Sequence, residues 1–257
     1  MKAFCFDIKA DMGFFKKNDS NARVFTTYNF IHKPAVLGIF GAILGYGGYD
    51  RDKKNNSIEY YEKLKNFKIA IKPLYRKPLK KTVVIFNNSS GLASQEPGGV
   101  LQAKEQIIVE SLGYTIFVPF FETFSEDEKE IYEKLEYMVK NKYAEYPIYF
   151  GKNEFLAYFE NYKSLNVEEL ERKEVVVNSL VKMKDVDFFV KTDEEEFGLF
   201  EDHKGEKSVT IIEELPYDFD ENYMYVKDLF IFTDKELKIK NNESFWRTND
   251  NEVIYVF

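Results

Sequence analysis

Between Pro34 and Gly45 the chain reads PAVLGIFGAILG, an apolar run without a charged residue and with a glycine or alanine at every third or fourth place. Pro34 suits the first turn of a helix, where its missing N–H costs nothing and its φ is already helical. The residues after it leave no polar face, which predicts a helix buried on nearly all sides. Glycine inside a helix costs about 1 kcal/mol relative to alanine, so Gly38 and Gly41 imply a close neighbouring backbone, most simply a sheet. Gly45, Gly47 and Gly48 then end the helix. His32 and Lys33 stand at its entrance, after the basic and aromatic approach RVFTTYNFI. Free N–H groups and the positive end of a helix dipole suit a phosphate. A core helix without any ligand fits the same pattern.

Charge separates the two readings. The net charge is −8, yet residues 1–95 carry 17 Lys or Arg against 7 Asp or Glu (+10), and residues 96–257 carry 19 against 37 (−18). Such asymmetry points to a basic half that meets a polyanion. Part of the large aromatic content, 25 Phe and 18 Tyr, would serve base stacking, and the core takes the rest. One cysteine, Cys5, excludes an internal disulfide, and one Cys with two His does not make the usual structural zinc site. No metal and no cofactor are expected. MKAFCFDIKADMG has neither a long apolar core nor a small-residue cleavage site, and the helix after Pro34 is too short to span a bilayer. The sequence therefore predicts a soluble cytoplasmic protein.

In chain order, Lys2–Lys9 alternates as a half-buried strand. Asp11–Ser20 is a loop presenting Phe14 and Phe15 beside Lys16 and Lys17. Phe67–Ile71 begins a second strand. No carboxylate occurs from Lys63 to Gln95, and the cluster YRKPLKK holds Arg76, Lys77, Lys80 and Lys81 ahead of the β-branched run TVVIF and the turn-rich NNSSGLASQEPGG. That pattern predicts a protruding basic hairpin touching phosphates. Strands follow at Ile107–Glu110 and Tyr114–Phe120. Ser125–Lys142 is an amphipathic helix capped by Ser125, and Tyr146–Phe150 gives a further strand. The order strand, helix, strand, strand, helix, strand predicts an α+β chain with an N-terminal ferredoxin-like, RRM-like domain over 1–152. The hairpin occupies about 72–110, and a smaller, mainly β part covers 153–257. Its acidic runs at 193–197 and 218–222 read as solvated turns, with a divalent cation as the alternative.

Two blocks carry a resemblance. An N-terminal strand, a basic aromatic loop and Pro34–Gly45, followed about a hundred residues later by YPIYFGKNEFLA (Tyr146–Ala157), resemble the Cas-five family of CRISPR-associated proteins, within the RAMP superfamily. The likeness covers the first 160 residues or so, and the basic hairpin falls where that family carries its thumb. It implies a subunit of a type I Cascade surveillance complex in antiviral defence, with a flavour of subtype I-B. Such a subunit holds the 5′ handle of the CRISPR RNA and joins the large subunit to the backbone subunit. The candidate RNA-binding residues are Lys16, Lys17, Arg23, Tyr28, His32, Lys33, Arg76, Lys77, Lys80 and Lys81. On this reading Lys33→Glu weakens RNA binding and leaves folding almost untouched.

One branch of that family, in subtype I-C, cuts the precursor RNA itself. Metal-free cleavage needs a group to activate the 2′-OH and another to protonate the leaving oxygen. In this chain the branch's tyrosine after the helix aligns with Leu44, no Lys-His pair follows the hairpin, and His203 lies in an apparent surface turn. The sequence therefore favours a non-catalytic RNA-binding subunit over a metal-independent endoribonuclease. A ferredoxin-like protein-interaction module without RNA is the third reading.

Overall fold

Phe4, Phe6 and Ile8 alternate with Ala3 and Cys5, and this two-residue period builds the strand at the centre of the molecule, β1 (Lys2–Ala10). The even positions enter one hydrophobic cluster and Ala3 and Cys5 another, so β1 is covered on both faces rather than half-buried. The computed structural model describes residues 1–18, 24–48, 57–88, 101–188 and 209–257. Among these, β1 is followed by helices α1 (Lys33–Leu44) and α2 (Glu59–Leu64), strand β2 (Ala70–Pro73), the hairpin β3 (Lys81–Asn88) and β4 (Leu101–Ile108), β5 (Leu112–Pro119), α3 (Glu126–Lys140) and β6 (Ala157–Glu169). Shorter strands dominate beyond: β7 (Glu174–Val176), β8 (Val181–Lys182), β9 (Val186–Asp187), β10 (Thr210–Phe219), β11 (Tyr225–Thr233), β12 (Glu236–Ile239), β13 (Phe245–Thr248) and β14 (Val253–Tyr255). The class is α+β, with strands prevailing over helices. No described helix is long and apolar enough to cross a membrane.

One antiparallel sheet runs in the order β14-β13-β6-β1-β5-β2. β1 pairs with β5 from Ala3↔Pro119 to Ala10↔Leu112, and with β6 on its other side from Lys2↔Asn166 to Ala10↔Ala157. Strands β6, β13 and β14, all beyond residue 152, thus complete the sheet that β1 begins. Helices α1 and α3 share one face of it: Phe40, Ile43, Tyr132 and Leu135 join the cluster of Phe4, Phe6 and Ile8. Ser125 caps α3 as expected, and Glu128 makes the cap a reciprocal capping box. Two three-stranded sheets, β10-β11-β8 and β7-β12-β9, make up the C-terminal part.

One expected strand is replaced. Tyr146–Phe150 is a turn with a single bridge, Tyr149↔Leu156, and the strand completing the sheet is β6. The reason lies in α1, whose last turn leaves carbonyl groups without helical partners. Glu145 N–H donates to Ile43 O at 3.1 Å and Tyr146 N–H to Ala42 O at 3.1 Å, which draws this segment onto the helix end instead of into a sheet.

Within the stretch expected to form the basic hairpin, β3 and β4 pair as a two-stranded antiparallel sheet from Lys81↔Ile108 to Asn88↔Leu101. Its predicted tip, 89–100, lies outside the described residues. Val83, Val84, Ile85 and Phe86 are exposed on it. Of the acidic runs, 193–197 is also outside the described residues. In 218–222, Asp220 Oδ1 accepts the backbone N–H groups of Asn222 (2.9 Å) and Met224 (2.8 Å), which is turn chemistry.

Candidate functional site

Helix α1 decides where a ligand can approach. Its first turn is largely covered, though His32 and Pro34 border the cleft on its flank. His32 is 4% exposed and Lys33 8%. The His32 Nδ1 atom accepts the Ala35 N–H at 3.3 Å and caps the helix. Tyr225 of β11 sets its ring edge-on to His32 at 5.2 Å and stacks on Phe219 of β10, and Tyr28 closes the other side at 5.6 Å. Burial drives the His32 pKa down to about 3, so the imidazole is neutral. Burial likewise pulls Lys33 down to about 8, against the opposing pull of Asp218. The open phosphate cradle expected at these residues is therefore filled by side chains of β10 and β11.

The flank of the same helix is open instead. Ala35, Gly38 and Ala42 are half-buried and floor a cleft of about 850 Å³, a volume typical of ligand sites. Its lining is aromatic, with Tyr60, Tyr225, Tyr146 and Tyr149, and includes Lys16, Lys152 and Glu105. The expectation of a helix buried all round, with a sheet against its glycines, thus yields to a different packing. The neighbour at Gly41 is Tyr60 of α2, whose Cβ would lie 2.5 Å from an added methyl group.

The wall that carries Tyr146 and Tyr149 is anchored by Gly151. Its φ is +85°, and a Cβ there would overlap the carbonyl oxygen of Phe14. Phe14 N–H donates to Phe150 O at 3.0 Å, locking the wall to the Phe14–Tyr28 loop. That loop folds on itself through Tyr28 N–H to Phe15 O (2.8 Å) and Lys17 N–H to Thr26 O (2.9 Å). Lys152, next to Gly151, bonds Glu105 of β4 at 2.8 Å with its ammonium over the Phe86 ring at 5.0 Å.

The candidate residues divide by position. Lys16 is exposed, lines the cleft and holds its ammonium 3.9 Å from the Phe25 ring centre. Lys17 turns inward, paired with the buried carboxylate of Glu213 at 2.9 Å. Tyr28, at 1% exposure, is core. Arg76 and Lys80 are exposed, and no acidic side chain pairs with either among the described residues. Lys77 pairs with Glu110, and Lys81 Nζ donates to Thr27 O at 3.1 Å. Arg23 lies outside the described residues. The charge run looks unopposed in sequence because its counter-charges are distant: Glu110, just after β4, pairs with Lys77, and Glu252 pairs with Lys72. The cleft tyrosines and Lys152 were missed as site residues, and the signal for them was the segment YPIYFGK with its one glycine between aromatics and lysine.

Just beyond α1, Gly45 takes a left-handed conformation (φ +83°) and Tyr46 follows into the cleft. Lys63 Nζ lies 4.1 Å from the Tyr46 ring centre, while Lys134 Nζ donates to Leu44 O at 3.2 Å, a cation at the negative end of the helix. Burial raises the Tyr46 pKa and Lys63 opposes the rise. Tyr46 thus stands two places beyond the last helical residue, Leu44. No cluster of His, Cys, Asp and Glu suited to a metal occurs among the described residues.

Residues 5–224 match a family model described as CRISPR-associated protein (Cas_Cas5). No curated protein matches the chain. Among solved structures it is similar to a CRISPR protein from Archaeoglobus fulgidus (TM-score 0.47, 11% identity, covering 100% of this chain and 98% of that one). It is also similar to a chain of a CRISPR RNA-guided surveillance complex (0.48, 12%, 91% and 90%). A third likeness is to a chain of the Type III-B Cmr-beta complex bound to cognate target RNA and AMPPnP (0.43, 11%, 93% and 86%).

Proposed function

The chain belongs to the Cas5 family of CRISPR-associated proteins, and from that membership we propose that it is a non-catalytic subunit of a type I Cascade complex, cytoplasmic, holding the 5′ handle of CRISPR RNA. It joins the large subunit to the backbone in this reading. The observation that carries it is the open aromatic cleft with Lys16 and Lys152 in its lining: aromatic faces beside lysines are what an unpaired strand needs, since every base has a face to stack and every nucleotide a phosphate. Lys16, Arg76 and Lys80 are the phosphate contacts, with Lys77, Lys81 and Arg23 beside them, while Lys17, Tyr28, His32 and Lys33 shape the site from within. The sheet order β6-β1-β5-β2 with α1 and α3 on one face supports a ferredoxin-like reading of 1–152 completed by β6. In the same reading β3–β4 is the thumb, and the mainly β remainder of 153–257 closes the end of α1.

The test is the affinity of the purified chain for single-stranded repeat RNA across a salt series. Binding without turnover is expected, with a slope of log affinity on log salt of about −0.7 per neutralised phosphate and a shallower slope in Lys16→Glu and Lys80→Glu. Salt-independent binding would overturn the electrostatic account.

Tyr46 supports a second reading, the metal-independent endoribonuclease, because it lines the cleft and carries the ammonium groups of Lys63 and Lys134 over its ring at 4.1 and 6.0 Å. His32 does not serve that reading: a neutral, capping imidazole with a pKa of about 3 is a poor proton carrier at neutral pH. Multiple-turnover cutting of repeat RNA that vanishes in Tyr46→Phe would replace the non-catalytic reading.

A further inference from the structure

Helix α1 contains two internal glycines with different excuses. Gly41 has no room for a methyl group beside Tyr60. Gly38 does: a Cβ there would meet only the Tyr60 ring, at 3.8 Å, an ordinary contact. Alanine would fit and would favour the helix, so packing does not account for Gly38. What Gly38 does face is the cleft, together with Ala35 and Ala42. A glycine in such a place lets another molecule reach the helix backbone.

A second observation comes from His32, more than nine-tenths buried and lining the same cleft. Its Nδ1 accepts the Ala35 N–H, so in the neutral ring the proton sits on Nε2. That Nε2–H donor meets no acceptor among the described residues. Ala35 and Gly38 are about 4.5 Å apart along the axis, so a planar ring spans both within the cleft that His32 also lines.

Building on the RNA-binding reading, we propose that the groove over Ala35 and Gly38 seats one unpaired nucleobase, its face against the helix backbone and a ring nitrogen or carbonyl oxygen accepting the His32 Nε2–H. Tyr60 and Tyr225 border the seat. The phosphate contacts of the lysines hold any strand, whereas this seat selects a position along it.

The experiment measures affinity of the full chain for repeat RNA in which each base in turn is removed, leaving the backbone intact. In the parent one position is expected to lose about tenfold on base removal, the scale of one stacked base. Gly38→Leu, which fills the groove, should bind intact RNA about tenfold more weakly and lose its sensitivity at that position. Gly38→Ala should retain or raise the melting temperature while showing part of the same effect. His32→Asn, a good helix cap that lacks the Nε2–H donor, should lower affinity for intact RNA and leave the abasic RNA unaffected. Uniform sensitivity along the strand, or sensitivity preserved in Gly38→Leu, overturns the seat; if salt-dependent binding persists, the RNA-binding reading stands. A parent that binds no RNA overturns both.

Discussion

The first turn of α1 and its flank carry opposite surfaces on one twelve-residue helix. At the first turn two polar residues, His32 and Lys33, are buried, the imidazole against the ring of Tyr225 of β11, while on the flank the apolar Ala35, Gly38 and Ala42 stay half-open to solvent. A histidine and a lysine advertise a polar entrance, and alanines and glycines advertise a core. Here the long side chains are what β10 and β11 pack against, and the short ones leave the space. The groove exists because small residues do not fill it.

The largest effect that sharpens this contrast concerns Lys33. Its folded pKa of about 8 lies below the ordinary lysine value of 10.5, so the unfolded chain binds the proton more tightly. Stability must then rise as pH increases from about 8 to 10.5, and the full penalty, on the order of 3 kcal/mol, applies at pH 7. Lys33→Met keeps the buried stem and removes the charge, so it should stabilise the protein at pH 7 by about 2–3 kcal/mol in denaturant melts and abolish the alkaline rise. RNA affinity should remain at the parent value, in contrast to the loss a lysine at an open entrance would give. A Met variant less stable than the parent, or one that loses RNA, would reopen the first turn as a ligand site.

His32 titrates in a different window with the same sign. Its folded pKa of about 3 is below the ordinary 6.5. The stability it contributes is complete above pH 6.5 and falls as pH drops toward 3, by about 2 kcal/mol at pH 5. His32→Asn should flatten this acid-side decline while retaining a cap. An unchanged decline would assign it to other groups and place the imidazole in solvent.

Much of the central sheet was legible because β1 and α3 express their periods locally: alternating Phe4, Phe6 and Ile8, and the Ser125 cap. Strand β3 was legible from its β-branched run TVVIF. Burial at the first turn was not, because Phe219 and Tyr225, which cover it, lie nearly two hundred residues away. The pairing of Lys17 with Glu213 is hidden for the same reason. Tyr146–Phe150 misled because its apolar residues look like a strand, while its hydrogen bonds go to the carbonyls of a helix end. The helix end was legible too: Gly45 stops α1 after Leu44 in a left-handed turn, as its glycine suggests.

The smallest effect separates the two glycines. An added methyl at Gly41 would lie 2.5 Å from Tyr60 Cβ, and Tyr60 is not free to retreat, since its N–H donates to Gly47 O at 3.2 Å. Overpacking of this kind costs about 1–3 kcal/mol, and the better helix propensity of alanine returns about 1 kcal/mol. Gly41→Ala should therefore lose about 1 kcal/mol net, a fall of about 2–4 °C in melting temperature for a chain of this size. Gly38→Ala meets only a ring at 3.8 Å and should gain instead. Melting both variants beside the parent reads the difference directly. If Gly38→Ala proves the more damaging, the flank is packed by protein rather than open, and the base seat loses its floor.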